Sequence, residues 1–186
     1  MPFINVGIVG VGLVGREFIS QLLSVSQHIH ANRLRIVSIS SSTSTLFSPF
    51  GFSPKILAGW QAELANPGSA YRSRTDFNQL TAQLRNLLQI HGDKVVLVDN
   101  TASEEVAGLY PTFLDAGIAV ITPNKKAYSG NLGLYESILS ASAKSGALFL
   151  NEATVGAGLP IISTLKDLVA TGDTVRSVTF ILFYLL

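Results

Sequence analysis

The sequence predicts an α/β protein built on a doubly wound parallel sheet, and three observations support this fold class. Five short apolar segments alternate along the chain with stretches of helical periodicity. Apolar residues make up 47% of the 186 residues and charged residues only 13%, which is ample material for a buried core. A glycine-rich turn follows the first apolar segment. In such a sheet the carboxyl ends of the strands, where ligands bind, share one edge.

The first predicted unit is a strand, a glycine turn and a helix. Strand Ile4–Val9 runs into Gly10-Val11-Gly12-Leu13-Val14-Gly15, and helical periodicity extends over residues 14–25. In this motif the first glycine permits the tight turn, the second lets a pyrophosphate approach the backbone, and the third lets the helix approach the strand. The helix N-terminus then favours the phosphates. The flanks match the expected context, so we predict a Rossmann-like dinucleotide-binding unit; a turn without a ligand is the alternative.

The remaining elements continue the alternation. Further strands are predicted at residues 34–39, 94–98, 118–121 and 147–150, and further helices at residues 77–88, 103–114, 132–144 and 161–171. His91 and Gly92 are expected to close one of these helices. The polar residues 40–53 are predicted to form a loop. We assign residues 1–150 to a nucleotide-binding domain and residues 151–186 to a loop, a helix and only the start of a second domain.

Charge and cysteine content limit the classes of partner. The formal net charge is +1 and no long basic run occurs, so neither nucleic acid nor a membrane surface is expected as a partner. The absence of cysteine excludes disulfides and thiolate sites and fits a reducing compartment. The apolar N-terminal segment lacks a basic region and is interpreted as a strand, without an export role. We therefore expect a cytoplasmic protein with a small-molecule ligand.

The end of the second predicted strand bears on the choice of dinucleotide. Many NAD-binding proteins carry an acid here for the ribose 2′-hydroxyl, but this sequence has Ser40-Ser41-Ser42 and no Asp or Glu between Glu17 and Glu63. A carboxylate would repel a 2′-phosphate, so hydroxyls in its place tolerate or favour NADP. Lys55 is a candidate partner of that phosphate. A solvated serine loop without a role is the alternative.

Two more predicted strands end in polar segments at the same edge. Residues 99–103, Asp-Asn-Thr-Ala-Ser, can bind the nicotinamide end of a cofactor, although Ser103 by itself also suits a helix N-cap. Residues 122–126, Thr-Pro-Asn-Lys-Lys, bring two lysines to the edge behind Pro123. A lysine there can orient a substrate carboxylate or hydroxyl, or transfer a proton. A solvated pair of surface lysines is the alternative.

The turn after the last predicted strand is unusual in composition. Residues 151–160 contain two glycines and a proline, which can turn several backbone carbonyls inward, and Glu152 adds a carboxylate. Hard oxygen ligands of this kind suit a small cation. Pro160 and Gly172 also have a purely structural explanation as the ends of the helix between them.

Four of these segments together resemble homoserine dehydrogenase, in its fungal form. They are GVGLVG at residues 10–15, VDNT at 98–101, TPNKKA at 122–127 and EATVGAGLPII at 152–162. The resemblance spans residues 3–176, and its last block is far more specific than a glycine motif. It implies reversible reduction of aspartate semialdehyde to homoserine with NAD(P)H, on the route to threonine and methionine, by a homodimer.

The resemblance also implies roles for individual residues. The pyrophosphate would be held by Gly12, Val14 and Gly15, and the cofactor-binding turn would also include Gly10. The nicotinamide of NADP or NAD would be flanked by Thr101, Ser103 and Pro123. Lys125 would contact the cofactor and act as the catalytic lysine near the reacting carbon. A monovalent cation with a structural role, expected to be sodium, would be bound by Glu152 and by the carbonyls of Val155, Ala157 and Leu159. Ala102 replaces a hydroxyl residue common in the family.

The sequence departs from the family after Arg176. There the family continues into a catalytic domain with acidic substrate ligands and a second lysine, whereas residues 178–186 are an apolar run. That run is far shorter than the roughly 20 residues of a membrane helix, and we interpret it as an unpartnered strand left by truncation or a changed reading frame. The leading hypothesis is the cofactor half of homoserine dehydrogenase. A non-catalytic NADP-binding module and a Rossmann oxidoreductase of other specificity are the alternatives.

Overall fold

The centre of the molecule is one mixed sheet, seen in a computed structural model that describes residues 3–25, 33–90, 93–177 and 179. Its strands are β1 (Ile4–Val9), β2 (Leu34–Ser40), β3 (Ser44–Phe47), β4 (Arg72–Arg74), β5 (Lys94–Asp99), β6 (Ala119–Ile121) and β7 (Phe149–Leu150). They lie in the order β4-β3-β2-β1-β5-β6-β7. The neighbours from β2 to β7 pair in parallel, and β3 and β4 extend one edge in antiparallel pairing.

Helices cover both faces of this sheet. They are α1 (Leu13–Val25), α2 (Pro54–Ala58), α3 (Trp60–Ala65), α4 (Phe77–Leu88), α5 (Glu104–Gly108), α6 (Tyr110–Asp115), α7 (Lys126–Ser129), α8 (Leu132–Ser145) and α9 (Ile161–Ala170). Alternate strand residues point into two separate cores, because successive side chains of a strand face opposite sides. Ile8 packs with Ile19 and Trp60 of α1 and α3. Val9 belongs to the second core, with residues of α4, α6 and α8. The doubly wound α/β class is confirmed.

The predicted loop at residues 40–53 is wrong in part, because Ser44–Phe47 forms β3. The turn before it is tight: the backbone N–H of Ser41 donates to the carbonyl of Ser44 at 2.8 Å. Hydroxyl side chains made this segment resemble a loop, yet Ser44 and Thr45 are buried. Their hydroxyls have partners, since Thr45 Oγ1 donates to Ser40 Oγ at 2.9 Å and Arg72 Nη2 donates to Ser44 Oγ at 2.6 Å. Satisfied hydroxyls can occupy a strand interior.

Other predictions need smaller corrections. The sheet is not purely parallel, because β3 and β4 return antiparallel to β2. The single helix predicted at residues 103–114 is two short helices, α5 and α6; the second has Pro111 in its first turn, where a missing N–H is tolerated. Helices α2, α3 and α7 and strand β4 were not predicted. His91, Gly92 and most of the run 178–186 lie outside the described residues.

The fold brings the predicted ligand-binding segments to one edge. The backbone N–H of Gly10 donates to the carbonyl of Ser40 at 2.9 Å, and that of Asn100 donates to the carbonyl of Val9 at 2.8 Å. The chain segments that leave β1, β2 and β5 therefore start side by side. Throughout the described ranges, every helix is too short or too polar to cross a membrane.

Candidate functional site

The glycine turn between β1 and α1 is packed so closely that two of its glycines cannot be replaced without movement. Gly10 has a φ of +89°, and a Cβ there would lie 2.7 Å from Thr101 Cγ2. A Cβ on Gly15 would overlap the carbonyl oxygen of Gly10. The turn therefore lies against the segment after β5, and α1 begins directly behind it.

Gly12, by contrast, faces open space. A Cβ at this position would meet nothing within 4 Å, and Val14 beside it is 58% exposed. The first turn of α1 contains no acidic residue, and the first backbone N–H groups of any helix have no partner inside it. An anionic group can thus approach the backbone here and gain from the helix dipole.

Asn100 provides a second sign of a ligand-binding site at this turn. Its side-chain Nδ2 is buried and has no hydrogen-bond partner among the described residues. Its Cβ lies 3.7 Å from the position that a Gly15 Cβ would take, so the amide stands beside the glycine turn. Buried donors without partners are rare, and a bound cofactor near this turn is one way to satisfy or reorient such a group.

A cleft of about 580 Å³ opens at this edge. It is lined by the glycine turn, the turn after β2, the start of α4 and the segment after β5: Val9, Gly10, Ser41, Ser42, Thr75, Asp76, Phe77, Asn78, Thr101, Ala102, Ser103, Glu105, Val106 and Leu109. Thr75 Oγ1 donates to the carbonyl of Ser41 at 2.9 Å. This hydrogen bond attaches the start of α4 to the turn after β2, residues 40–42, which we call the serine turn. A cleft of this volume, lined by four segments of the chain, has room for a small-molecule ligand.

Two residues near the serine turn differ from the sequence-based expectation. Lys55 lies on α2 and does not line the cleft of the described chain. Asp76 does line it, although sequence reasoning assigned it no role. Asp76 Oδ1 accepts from the backbone N–H groups of Asn78 at 2.8 Å and Gln79 at 3.1 Å, so the residue caps α4. An Asp before a periodic helix is a recognisable cap in sequence, but its position in the cleft depends on the fold.

A buried polar cluster lies beneath the segment after β5. Asp99 is 0% exposed, and its Oδ2 accepts from the Tyr110 hydroxyl at 2.5 Å and from Asn124 Nδ2 at 3.1 Å. Its Oδ1 accepts from the backbone N–H of Thr101 at 2.8 Å. Burial raises the pKa of Tyr110 above its ordinary range, and the neighbouring Asp99 charge raises it further. The tyrosine therefore stays a hydrogen-bond donor to the buried carboxylate.

Asn124 of this cluster joins the two predicted nicotinamide segments. Its Nδ2 donates to the carbonyl of Ser103 at 2.9 Å, and its Oδ1 accepts from the backbone N–H of Lys126 at 3.0 Å. The prediction that these two segments meet at one edge is confirmed. Ser103 Oγ accepts from the backbone N–H of Val106 at 3.3 Å, so this residue is a helix cap and also lines the cleft.

Lys125 is exposed and stands at the N-cap of α7. It lines a second cleft, of about 400 Å³, together with residues of α7, α8, α9 and the turn after β7: Tyr128, Ser129, Tyr135, Asn151, Thr154, Val155, Ile162 and Lys166. Burial raises the pKa of Tyr128, one wall of this cleft, above its ordinary range. The structure thus places Lys125 next to the predicted cation loop, a proximity that the sequence spacing did not reveal.

Glu152 begins the turn after β7. Its Oε1 accepts from the backbone N–H of Ile162 at 2.8 Å and its Oε2 from that of Ser163 at 2.9 Å, so the carboxylate caps α9. Loss of hydration would raise the pKa of Glu152, but these backbone N–H groups outweigh it and lower the pKa below its ordinary value. The carboxylate is therefore charged at neutral pH.

The rest of this turn differs in how its carbonyl oxygens are paired. Gly156 and Ala157 have left-handed backbone conformations, with φ of 70° and 52°. The carbonyl of Leu159 accepts from the N–H of Ile161 at 2.9 Å. In the described part of the chain, the carbonyl oxygens of Val155 and Ala157 accept no hydrogen bond. Carbonyls without a hydrogen-bond partner, in the turn that Glu152 begins, are of the ligand type that a small, hard cation prefers. The same part of the chain contains no cluster of three or more His, Cys, Asp or Glu side chains suited to a metal.

A glycine turn at a helix N-terminus, facing a cleft at the carboxyl edge of parallel strands, is the arrangement of a Rossmann-type NAD(P)-binding domain. Comparison with known families agrees: residues 10–152 match the family model described as homoserine dehydrogenase, NAD binding domain. The chain belongs to the homoserine dehydrogenase family, and the resemblance drawn from its sequence motifs is confirmed.

Individual relatives support this membership. Homoserine dehydrogenase of Emericella nidulans is 41% identical over 178 residues, which are 94% of this chain and 46% of the relative. That of Schizosaccharomyces pombe is 41% identical over 175 residues, 92% of this chain and 44% of the relative. The chain spans about half the length of the curated relatives it matches. Both relatives are named homoserine dehydrogenase.

Solved structures share the fold. A Candida auris protein described as of unknown function is 36% identical with a TM-score of 0.76, over 94% of this chain and 46% of the other. A hyperthermophilic archaeal homoserine dehydrogenase mutant, solved in complex with NADPH, is 25% identical with a TM-score of 0.65, over 91% of this chain and 50% of the other. The Rossmann-like fold class and an NAD(P)-binding domain are thereby confirmed.

Proposed function

We propose that this chain is the cofactor-binding half of a homoserine dehydrogenase, which interconverts aspartate semialdehyde and homoserine. The observation that carries this proposal is the glycine turn. Gly12 leaves room for a pyrophosphate at the start of α1, while Gly10 and Gly15 permit the close packing behind it. The remainder of the proposal assigns roles around this anchor.

The residues of the cofactor site divide into two groups. Gly12, Val14 and Gly15 hold the pyrophosphate through backbone N–H groups at the start of α1, and Gly10, whose own N–H donates to the Ser40 carbonyl, permits the turn that brings the cofactor to them. Thr101, Ser103 and Pro123 flank the nicotinamide. When bound, NAD(P)H supplies the hydride that reduces the aldehyde carbon. Lys125 Nζ orients the substrate and donates the proton that neutralises the developing alkoxide.

We infer that NADP is accepted at least as well as NAD. The serine turn after β2 offers the hydroxyl of Ser42, which is exposed on the cleft, and no carboxylate of its own. Asp76 lies on the same cleft, at the start of α4 rather than in the turn after β2, and its Oδ1 accepts from backbone N–H groups of α4. A 2′-phosphate therefore meets hydroxyls at the turn, with no carboxylate directly after β2 to repel it.

We further propose a structural monovalent cation, sodium, held by Glu152 and the carbonyls of Val155, Ala157 and Leu159. The charged carboxylate and two free carbonyls supply hard oxygen ligands, and a cation here would join the turn after β7 to the start of α9. The Leu159 carbonyl would contribute in addition to its bond with Ile161. A cytoplasmic location, homodimer formation and a domain division at residue 150 stay predictions.

A competing proposal is a non-catalytic NADP-binding module. Holding an amino-acid aldehyde against the nicotinamide requires contacts at both of its ends, which Lys125 alone does not provide.

One set of assays separates these proposals. The purified 186-residue chain is titrated with NADPH by nicotinamide fluorescence and assayed for homoserine oxidation; we expect binding with little or no turnover. A chimera continues the chain after Arg176 with the corresponding part of a fungal relative, and we expect it to recover activity. Lys125→Ala in that chimera should lower kcat/KM by a factor on the order of 10²–10⁴. An inactive chimera that still binds NADPH would favour the non-catalytic module.

A further inference from the structure

We propose that Asn124, together with the buried pair Asp99 and Tyr110, is a positioning device that holds the segment carrying Lys125 against the segment carrying Thr101. None of these three residues is assigned a contact with the cofactor or the substrate in the site described above. The inference rests on the proposed function, because it takes Lys125 and Thr101 as parts of one cofactor site.

The buried side chain of Asn124 both donates and accepts hydrogen bonds. The residue is 2% exposed, and its amide nitrogen lies within hydrogen-bond distance of Asp99 Oδ2 at 3.1 Å and of the Ser103 carbonyl at 2.9 Å. Its amide oxygen accepts from the backbone N–H of Lys126, directly after Lys125. One side chain thus determines where α7 begins relative to the segment after β5.

Asp99 and Tyr110 hold Asn124 in place. The Tyr110 hydroxyl also lies 2.9 Å from Thr122 Oγ1, and the Thr122 hydroxyl donates to the Asp99 carbonyl at 2.9 Å. The ring of Tyr110 is fully buried and packs against Phe149 of β7, with centroids 5.7 Å apart. A buried charge with several donors orients them strongly, because the surrounding dielectric is low. The side chains of Asp99 and Asn124 therefore link the sheet to the backbone around Lys125.

A purely structural role would have a different consequence. If the cluster only stabilised the fold, removing the Tyr110 hydroxyl would lower thermal stability without changing how Lys125 acts on the cofactor. If it positions Lys125, the contribution of Lys125 to NADPH binding depends on the hydroxyl. Tyr110 is buried and lines neither cleft, so no direct contact with the cofactor can account for such dependence.

A double-mutant cycle on the 186-residue chain tests this dependence. NADPH dissociation constants are measured for the wild type, Tyr110→Phe, Lys125→Ala and the double variant. We expect Lys125→Ala to weaken binding by roughly tenfold in the wild type and by less than about threefold in the Tyr110→Phe background. Thr122→Val removes a second hydroxyl of the cluster without changing its volume much, and it serves as an independent variant if Tyr110→Phe fails to fold.

Ser48→Ala is the matched control. Ser48 is buried and its hydroxyl donates to the Gly51 carbonyl at 2.8 Å, at the other end of the sheet. The effect of Ser48→Ala on the free energy of NADPH binding should simply add to the effect of Lys125→Ala. Additive effects of the cluster variants, in a chain that binds NADPH, would overturn the positioning role and leave the proposed function intact. A Lys125→Ala chain that binds NADPH like the wild type would also overturn it. A wild-type chain that fails to bind NADPH would overturn the proposed function and this inference with it.

Discussion

Replacing Gly12 by Asp tests the cofactor assignment most directly, because the structure predicts opposite effects on binding and on folding. A Cβ at Gly12 meets nothing within 4 Å, and the residue is not among the glycines with positive φ. Its carbonyl accepts from the N–H of Arg16 at 3.0 Å, so it occupies the N-cap position of α1. Asp is a favoured N-cap, and a negative charge there stabilises a helix by about 0.3–1 kcal/mol.

Binding of NADPH should weaken for the same reason that the helix is stabilised. The new carboxylate would take the place of the pyrophosphate and repel it. Two unit charges about 4 Å apart repel by about 1 kcal/mol in bulk water and about 4 kcal/mol at the effective dielectric of a protein surface. Since Gly12 is exposed, the effect lies between these limits, and we expect the dissociation constant to rise by about 10- to 100-fold.

The assay is a fluorescence titration with NADPH alongside thermal unfolding of the same samples. Gly59→Asp is a matched control, because Gly59 is the N-cap of α3, has a φ of −116° and leaves 4.0 Å to the nearest atom. It adds the same charge outside both clefts and should bind NADPH like the wild type. Gly12→Ala separates charge from size and should weaken binding less than Asp. Equal NADPH affinity of Gly12→Asp and the wild type would refute the assignment of the glycine turn.

Three further outcomes are expected. NADPH should bind at least as tightly as NADH in parallel titrations, and a clear preference for NADH would contradict the role of the serine turn. Gly15→Ala should lower the free energy of unfolding by about 1–3 kcal/mol in urea titrations, because its Cβ would overlap the Gly10 carbonyl, whereas Gly108→Ala, with no atom within 4 Å, should not. The lowered pKa of Glu152 means that its charge stabilises the fold above its ordinary value of 4.5 and that this contribution is lost as pH falls through the folded-state pKa. Thermal midpoints of wild type and Glu152→Gln should therefore differ at neutral pH and converge in acid; a constant gap would contradict this cap.

The elements recognised from sequence share one property, which is that a short window contains their signal. Strand Ile4–Val9 and the helix Phe77–Leu88 are found at their predicted residues, because apolar periodicity over a few turns or strand positions is local. The glycine turn is local too, and each glycine follows a steric need of its own. The four segments that resemble homoserine dehydrogenase are likewise recognised from neighbouring residues alone.

The sequence failed where burial decided the outcome. Ser44–Phe47 has the composition of a loop, and it becomes a strand because Arg72 and Ser40 provide partners for its buried hydroxyls. Nothing in a window of the chain shows that those partners exist. The position of Asp76 was also not visible in the sequence. Its capping role is local, but its place on the cleft depends on the hydrogen bond from Thr75 to the Ser41 carbonyl.

The sequence by itself determined the doubly wound class, the glycine turn and the family, since all three depend on periodicity and motif. Only the tertiary structure decided which polar residues act together. Asn124 and Asp99 are 25 residues apart, and they meet because β5 and β6 are parallel neighbours whose carboxyl ends lie at one edge. Lys125 follows β6 and Val155 follows β7, and the two residues line one cleft because β6 and β7 are also parallel neighbours. Contacts of this kind depend on crossovers between strands, and their hydrogen bonds form only once the sheet has brought those ends together.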